Sequence, residues 1–380
     1  MFKNCVATLN ISSSEISLTV GERSVNGAFS FRAVEKVKYY SYFDGEFEDI
    51  KELERKISKL FEDVATNSAI SKISTVYVNV PGEFSKTISK NYKITFAKPK
   101  KINVSDVKYL YENGYMEEDP EFKLINRSAI YFVLDNYKTH DPIGKVASSL
   151  SARIFYGLVI NHYVEVIGGI LTKLDVVNVK YILQPYADAS YLFTQAERDD
   201  CKLLINVGYS TTTLSLICGN GLLYSKSFAL GGGMITAYLS EGLGCEFVVA
   251  EAVKNKLNLG LKDKETATYV VFDNEFGEFS FSRNECNKIA KDVLDKISEN
   301  CDKAVSGCTL KVPSDIDIAF TGEGICSVKG AVEYISTRLG VFPKTVAPNL
   351  PHYNKPNHTE RLSLLSTALN LVKDKLFFTE

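Results

Sequence analysis

The pattern of hydrophobic and polar positions opens with two short strands around a polar turn. Apolar runs at residues 6–9 and 15–20 predict the strands, and the small polar residues 10–14 between them predict a tight turn. The pattern then predicts a third strand, a helix with apolar residues at helical spacing, and a short buried strand, at residues 29–34, 50–65 and 76–80. This order of elements predicts a mixed α/β lobe.

The second half of the chain restarts the same order. Residues 202–206 and 214–218 are predicted strands around a polar turn, and a third strand at 223–230 runs into three glycines and a helix at 235–242. A strand pair, a helix, a strand and a further helix are then predicted around 272–281 and at 285–305, 316–321 and 328–339. Such repetition predicts two similar lobes that face each other across a cleft.

A segment of different texture interrupts the first lobe. Residues 85–161 are rich in lysine and polar residues, with a strand pattern at 129–136, and we interpret them as an inserted subdomain. A helix at 164–174, a strand at 180–183 and a second helix then complete the first lobe. The tail, residues 359–378, has the apolar spacing of a helix that packs on its own lobe.

These patterns divide the chain into six segments. The first lobe would comprise 1–84 and 162–201 around the insertion at 85–161, and the second lobe 202–245 and 313–380 around a smaller subdomain at 246–312. A chain of 380 residues exceeds the size at which one hydrophobic core usually keeps growing, which agrees with two lobes.

Composition excludes several classes of protein. Hydrophobic residues are 45% and charged residues 24%, as in a globular protein, and the net charge of −2 without a basic stripe argues against a nucleic-acid partner. None of the eight cysteines forms a C-x-x-C pair, so we expect them to be reduced, as in a cytoplasmic protein. No apolar run approaches the length that spans a bilayer, so any membrane contact is expected to be peripheral.

Other catalytic patterns are absent from the sequence. The four histidines lack metal-ligand spacing, and no G-x-S-x-G elbow is present. We therefore predict neither a protein-bound metal centre nor serine hydrolase chemistry.

Two hairpin tips have residues suited to a polyphosphate. Each tip is rich in small residues whose backbone N–H groups and hydroxyls can surround phosphate oxygens. The first tip contains Ser12, Ser13 and Ser14, and the second contains Gly208, Ser210, Thr211 and Thr212. Either tip alone is also typical of an ordinary hairpin turn, but their matched positions in the two lobes favour a shared role.

Two glycine turns follow strands and precede helices in the second lobe. Gly232 and Gly233 lie in one, and Gly322 and Gly324 in the other. Glycine at such a turn allows a flat ring or ribose to approach the backbone, although a tight turn alone also requires it. Between these turns, Glu251 and Lys254 share one helix face, a spacing that by itself is typical of a solvated surface ion pair.

These elements resemble the actin, Hsp70 and sugar-kinase superfamily and, within it, the bacterial division protein family FtsA. Residues 202–213 (KLLINVGYSTTT) are similar to its second phosphate loop, and residues 227–254 resemble its glycine turn and A-E-x-x-K helix. Residues 182–191 (ILQPYADASY) resemble its connecting segment and residues 318–330 its adenosine loop. The insertion lies where FtsA has its 1C subdomain, and residues 141–144 (DPIG) resemble that subdomain's N-P-x-G loop.

The resemblance implies an actin-like (RNase H-like) duplicated α/β fold that binds Mg-ATP in a cleft between the lobes. By this carry-over the phosphates would lie against Asn10, Ser12, Ser13, Ser14, Asn206, Gly208, Ser210, Thr211 and Thr212. Adenosine would lie against Gly232, Gly233, Glu251, Lys254, Gly322 and Gly324. Gln184 would stand near the hydrolytic water as the candidate catalytic residue.

The chain departs from the family pattern where magnesium would bind. Each phosphate loop of the family begins with an aspartate, and here both positions are asparagine, Asn10 and Asn206. Ser12 replaces a glycine, and Tyr209 and Ser210 replace a glycine pair. Since Mg²⁺ is normally held by carboxylates and phosphate oxygens, we expect a weakened or vestigial site and at most a weak ATPase.

The resemblance also implies partners and a location. It implies self-association into filaments and recruitment of the tubulin homologue FtsZ, through its C-terminal peptide, with other divisome proteins at the inner face of the cell membrane. The basic amphipathic anchor helix of the family is not visible, so membrane contact would be peripheral or through a tail not seen here. Two alternatives share the fold: a small-molecule kinase or ATPase, and a PilM-like adaptor of pilus assembly.

Overall fold

The computed structural model describes residues 5–24, 29–68, 70, 72–115, 119–260, 266–275, 277–308, 316–372, 374 and 376–379. The chain forms two compact units. The first comprises Met1–Lys202, Ser215–Lys226 and His358–Glu380, and the second comprises Leu203–Leu214 and Ser227–Asn357. The predicted boundary between residues 312 and 313 lies outside the described residues.

The elements are numbered in chain order. The strands are β1 (Val6–Ile11), β2 (Glu15–Arg23), β3 (Phe29–Lys38), β4 (Tyr42–Phe43), β5 (Glu46–Phe47), β6 (Thr75–Val80), β7 (Ser85–Lys101), β8 (Phe122–Leu134), β9 (Tyr137–Thr139), β10 (Val146–Ile160), β11 (Asn178–Leu183), β12 (Lys202–Val207), β13 (Thr212–Cys218), β14 (Gly221–Phe228), β15 (Thr268–Asp273), β16 (Gly277–Ser282) and β17 (Asp317–Thr321). The α-helices are α1 (Ile50–Asn67), α2 (Val104–Asn113), α3 (Asn161–Lys173), α4 (Gln184–Leu192), α5 (Gln195–Asp199), α6 (Gly233–Leu243), α7 (Phe247–Lys254), α8 (Arg283–Ser306), α9 (Glu323–Cys326), α10 (Ala331–Leu339) and α11 (Thr359–Leu371). Short 3-10 helices span Gly82–Phe84 and Pro356–His358.

The central sheet of the first unit has the strand order β11-β6-β1-β2-β3. Strand β1 pairs antiparallel with β2 and parallel with β6, and β6 pairs parallel with β11. Helices α1 and α11 pack on this sheet. Every residue of β1 is buried, which explains why the first strand of the sequence is almost continuously apolar.

Helix α1 shows how the local sequence sets an element. It begins after Asp49, whose side chain accepts hydrogen bonds from the first free N–H groups of the helix. Its buried residues recur at three- and four-residue steps: Leu53, Ile57, Leu60 and Val64. This apolar stripe faces β2 and β3, as the predicted helical spacing required.

The inserted segment forms a second sheet in the first unit, with the order β7-β10-β8-β9. Its three long strands pair antiparallel, and α2 packs on it over a separate core that includes Leu110, Leu150 and Ile154. The sequence predicted one strand here, at 129–136. The long edge strand β7 was missed because exposed lysines and polar residues interrupt its apolar positions, a common feature of edge strands.

One buried amide joins the inserted sheet to the central sheet. Asn126 of β8 is fully buried, and its Nδ2 donates to the carbonyl of Tyr181 at 2.8 Å. Its Oδ1 accepts from the backbone N–H of Leu183 at 3.0 Å. Because both partners belong to β11, the Asn126 side chain links strand β8 of the inserted sheet to strand β11 of the central sheet by two hydrogen bonds.

The tail differs from the prediction of one helix over 359–378. Helix α11 ends at Leu371, and the chain then runs along β8, where Phe378 bridges Asn126. The carbonyl of Phe377 accepts from the N–H of Arg127 at 2.8 Å, and the Phe377 side chain is only 2% exposed. The final aromatic residues therefore belong to the core of the first unit.

A third sheet has the order β14-β13-β12-β17, which matches the order β3-β2-β1-β6 of the central sheet. This match confirms the internal repetition predicted from the sequence. In the second unit, α8 packs against α6 and α10, and β15 and β16 form an antiparallel pair.

One expectation about the cysteines is wrong. Cys201 and Cys218 form a disulfide, with 4.3 Å between their Cα atoms. They lie 17 residues apart, at the start of one hairpin strand and the end of its partner, so neither a C-x-x-C motif nor any other sequence spacing pointed to the pair. The other six cysteines are free thiols, as expected.

Among the described residues, none of the helices is both long and apolar enough to cross a membrane.

Candidate functional site

The second hairpin tip, between β12 and β13, is bound to the start of α6. The N–H of Gly208 donates to the carbonyl of Thr211 at 2.8 Å, which closes the turn. The N–H groups of Gly232 and Gly233 donate to the carbonyls of Gly208 and Tyr209, at 2.9 and 2.6 Å. The tip therefore satisfies N–H groups that the first turn of a helix leaves without intrahelical partners.

Three backbone segments converge at the predicted glycines. A Cβ added to Gly232 would lie 2.1 Å from the carbonyl oxygen of Gly324, and one added to Gly324 would lie 2.1 Å from that of Gly208. Gly322 has a φ of +97°, and a Cβ there would lie 2.3 Å from Oδ1 of Asn206. The structure thus brings together the glycines that the sequence singled out, and close contact between backbones is itself a reason for them.

The lysine of the α7 ion pair is buried while its glutamate is half-buried, unlike the solvated surface pair that the spacing suggested. The side chain of Lys254 is 5% exposed, and its Nζ lies 3.1 Å from Oε1 and 3.2 Å from Oε2 of Glu251. Thr236 of α6 donates to Glu251 and also lies 3.3 Å from the Lys254 ammonium. These contacts offset the cost of burying the ammonium, because they pair its charge and satisfy its donors.

Tyr209 is a further residue at this place, and the site residues predicted from the sequence did not include it. A Cβ added to Gly233 would lie 2.7 Å from Cε1 of the Tyr209 ring, so the ring rests directly on that glycine. The Lys254 ammonium lies over the same ring, 5.1 Å from its centroid. The sequence did contain a signal for this contact. Tyr209 is a bulky residue in a tip of small ones, and the three glycines at 231–233, later in the chain, leave room for a ring.

The first tip, between β1 and β2 in the first unit, is a turn closed by its own side chain. Ser12 Oγ accepts from the N–H of Glu15 at 3.1 Å and donates to its carbonyl at 3.0 Å. The hydroxyl of Ser41 donates to the carbonyl of Ser12 at 2.7 Å. The Ser12 hydroxyl proton is therefore committed to the turn.

The strand that leads into this tip is held by a buried asparagine. Asn79 accepts from the N–H of Ile11 at 2.7 Å and donates to its carbonyl at 3.0 Å. Asn10, next to it, is 5% exposed, and its Oδ1 is buried without a hydrogen-bond partner among the described residues. That oxygen could accept a hydrogen bond, but a neutral amide lacks the charge that a magnesium ligand normally supplies.

Gln184 lies in a polar network inside the first unit. Its Nε2 donates to Asp188 Oδ1 at 2.7 Å and lies 3.0 Å from Ser363 Oγ and 3.1 Å from the carbonyl of Glu360. Ser363 also donates to Asp188 at 2.6 Å. The amide nitrogen that the resemblance placed near a water is thus used to fasten α11 to α4.

Similarity to solved structures defines the fold. No protein-family model matches the chain. The chain is similar to a PilM–PilN type IV pilus biogenesis complex, with a TM-score of 0.65 and 14% identity over 96% of this chain and 98% of the other. It is also similar to MreB5 of Spiroplasma citri bound to AMPPNP, with a TM-score of 0.58 and 11% identity over 99% of each chain.

Curated relatives carry one description, cell division protein FtsA. The relative from Streptococcus pneumoniae is 24% identical over 97% of this chain and 81% of its own length. That from Helicobacter pylori is 22% identical over 53% of this chain, a match that spans 43% of the relative's length. The fold is actin-like, as predicted. In sequence the chain is similar to FtsA over most of its length, at about 24% identity.

The residues at the second tip do not fit adenosine in the arrangement described. Gly233, Glu251 and Lys254 are the groups that the resemblance assigns to the nucleoside, and the Tyr209 ring lies on the first and under the last. The side chain of Tyr209 thus lies between residues that the resemblance assigns to the nucleoside.

Proposed function

We propose that this chain is a cell-division scaffold of the FtsA kind, which self-associates and recruits FtsZ at the inner face of the membrane. The observation that carries this proposal is the 24% identity with an FtsA over 97% of the chain. The inserted sheet of β7 to β10, with a core of its own, supports it, because the resemblance predicted an insertion of this extent for FtsA and not for actin.

We further propose that the nucleotide site is vestigial. The MreB5 neighbour is described as bound to AMPPNP, so the fold itself can carry a nucleotide. In this chain both magnesium-binding aspartates of the family are replaced by Asn10 and Asn206, and the Ser12 hydroxyl is committed to its turn. Assembly and FtsZ recruitment are therefore proposed to proceed without ATP hydrolysis.

Co-sedimentation tests the scaffold directly. The full chain is mixed with FtsZ filaments from the same organism, and with filaments of FtsZ that lack the C-terminal peptide as the matched control. Saturable pelleting with complete FtsZ alone, with or without ATP, is the expected result. Equal pelleting with both forms of FtsZ, or none with either, contradicts the proposal. Electron microscopy of the chain alone tests self-association, for which filaments are expected.

A PilM-like adaptor is the second candidate, because the PilM–PilN complex matches the fold with a TM-score of 0.65. Such an adaptor would bind the N-terminal peptide of a partner in a groove of the inserted subdomain. A titration of a labelled peptide of that kind against the chain, beside the FtsZ C-terminal peptide, separates the two functions. Preference for the FtsZ peptide is expected, and preference for the pilus-type peptide would favour the adaptor.

A further inference from the structure

We propose that the side chain of Tyr209 is an intramolecular stand-in for the nucleoside, which keeps the cradle of the second unit closed to ATP. This inference rests on the nucleotide site proposed above, in its vestigial form. It goes further by naming the group that closes the site and by predicting that removal of that group reopens it.

The first argument is the fit between the ring and Gly233. Three atoms of the Tyr209 ring would lie 2.7–2.9 Å from a Cβ at this position, so only a glycine leaves room for the ring. A flat ring that comes close to a glycine backbone is the contact that the sequence predicted for the nucleoside. Here the flat group is a phenol ring that belongs to the chain.

The second argument is that Tyr209 is fixed to α6 by its backbone as well as by its ring. Its carbonyl accepts from the N–H of Gly233 at 2.6 Å. A Cβ on Gly231 would lie 2.5 Å from that same carbonyl oxygen, so this second glycine is needed for the approach. Gly231 and Gly233 therefore both allow Tyr209 to pack closely against the start of α6.

The third argument concerns the charged pair above the ring. The Lys254 side chain is 5% exposed, and its ammonium lies over the Tyr209 ring and contacts Glu251 and Thr236. An ammonium over an aromatic face is attracted to it, most strongly where water is excluded. A ribose that approached Lys254 would have to displace the ring and break this contact.

A ligand that requires a displaced side chain binds with an affinity reduced by the fraction of molecules in which the side chain is displaced. If the ring leaves Gly233 in fewer than about one molecule in ten, its removal should tighten nucleotide binding by about tenfold or more. The change should appear with and without Mg²⁺, because the ring is separate from the metal-binding positions.

The experiment measures binding of mant-ATP to the full chain by fluorescence titration. Tyr209→Ala is the test variant, and Tyr209→Phe retains the ring and should behave as the native chain. Tyr238→Ala is the matched control, since Tyr238 lies in the same unit with a lysine ammonium over its ring, at 4.4 Å. If Tyr209→Ala does not fold, Tyr209→Leu, which retains apolar contact without a ring, must still bind more tightly than the native chain.

The outcomes are distinguishable. At least tenfold tighter binding by Tyr209→Ala, with native affinity in Tyr209→Phe and Tyr238→Ala, supports the proposal. If the native chain and Tyr209→Ala bind mant-ATP with equal affinity, the ring does not close the site, although the chain does bind nucleotide. Failure of every variant to bind overturns both the closing role and the nucleotide site in the second unit, and leaves FtsZ recruitment to its own test.

Discussion

Replacement of Asn126 by alanine should weaken the first unit at the junction of its two sheets. The side chain is fully buried, and it pairs the carbonyl of Tyr181 and the N–H of Leu183, both in β11. Alanine removes both hydrogen bonds and leaves the N–H of Leu183 buried and the carbonyl of Tyr181 part-buried without this partner.

The magnitude follows from the two groups left unsatisfied. A buried backbone group without a partner costs about 1–3 kcal/mol, so Asn126→Ala is expected to lower the free energy of unfolding by about 3 kcal/mol. For a unit of this size that corresponds to a fall of about 6–12 °C in Tm. The loss should be concentrated in the transition of the first unit.

Urea denaturation followed by circular dichroism and tyrosine fluorescence measures this loss, and the chain has 21 tyrosines and no tryptophan. Asn91→Ala is the matched control, because Asn91 is an exposed asparagine on β7 of the same inserted sheet. The control should change stability by less than about 0.5 kcal/mol. If Asn126→Ala is no more destabilising than Asn91→Ala, the amide does not join the sheets as described.

Three further outcomes are expected. Burial raises the pKa of Tyr186 to about 12, above its value in the unfolded chain, so the stability that its neutral phenol contributes is complete below about pH 10 and is lost as the pH rises through 12. The free energy of unfolding should therefore fall less between pH 10 and 12 in Tyr186→Phe than in the native chain, and an equal fall in the two would contradict this. Thiol titration of the denatured, unreduced chain should find six reactive cysteines, and eight after reduction, because Cys201 and Cys218 are bonded; eight before reduction would exclude the bond in the purified protein. Gly232→Ala should lower Tm markedly, since its Cβ would lie 2.1 Å from a backbone carbonyl oxygen. Gly169→Ala is the control: a Cβ there has no atom within 4 Å, so Tm should stay unchanged or rise slightly. Similar Tm shifts for the two variants would refute the close backbone contact at Gly232.

The repeated opening of the two halves could be predicted because buried strands and polar turns follow directly from sequence pattern. Strand β1 is wholly buried and therefore reads as an apolar run, and the glycines after β14 mark where its helix begins. Strand β7 was missed for the opposite reason. It is an edge strand with exposed lysines, and these charged residues obscure the alternation of apolar and polar positions that identifies a strand.

The glycine turns and the α7 pair lie close together in the second unit, but their role as a nucleotide site stays a prediction. The direction of the Tyr209 ring could not be predicted, because a tip residue can point into the turn or away from it. The pairing of Cys201 with Cys218 likewise depends on which strands become neighbours, which spacing in the sequence does not give.

The prediction that the two hairpin tips face each other across a cleft stays a prediction. It would place Asn10 and Asn206 on one nucleotide, whereas the similarity to FtsA rests on the sequence relatives.

The central claim, that this FtsA-like chain acts in cell division beside FtsZ, is tested most directly in living cells of its own organism. A fluorescent fusion expressed from the native locus should form a band at midcell that coincides with labelled FtsZ and disperses when FtsZ is depleted. A band that persists without FtsZ, or a signal that never gathers at the division plane, would contradict the account.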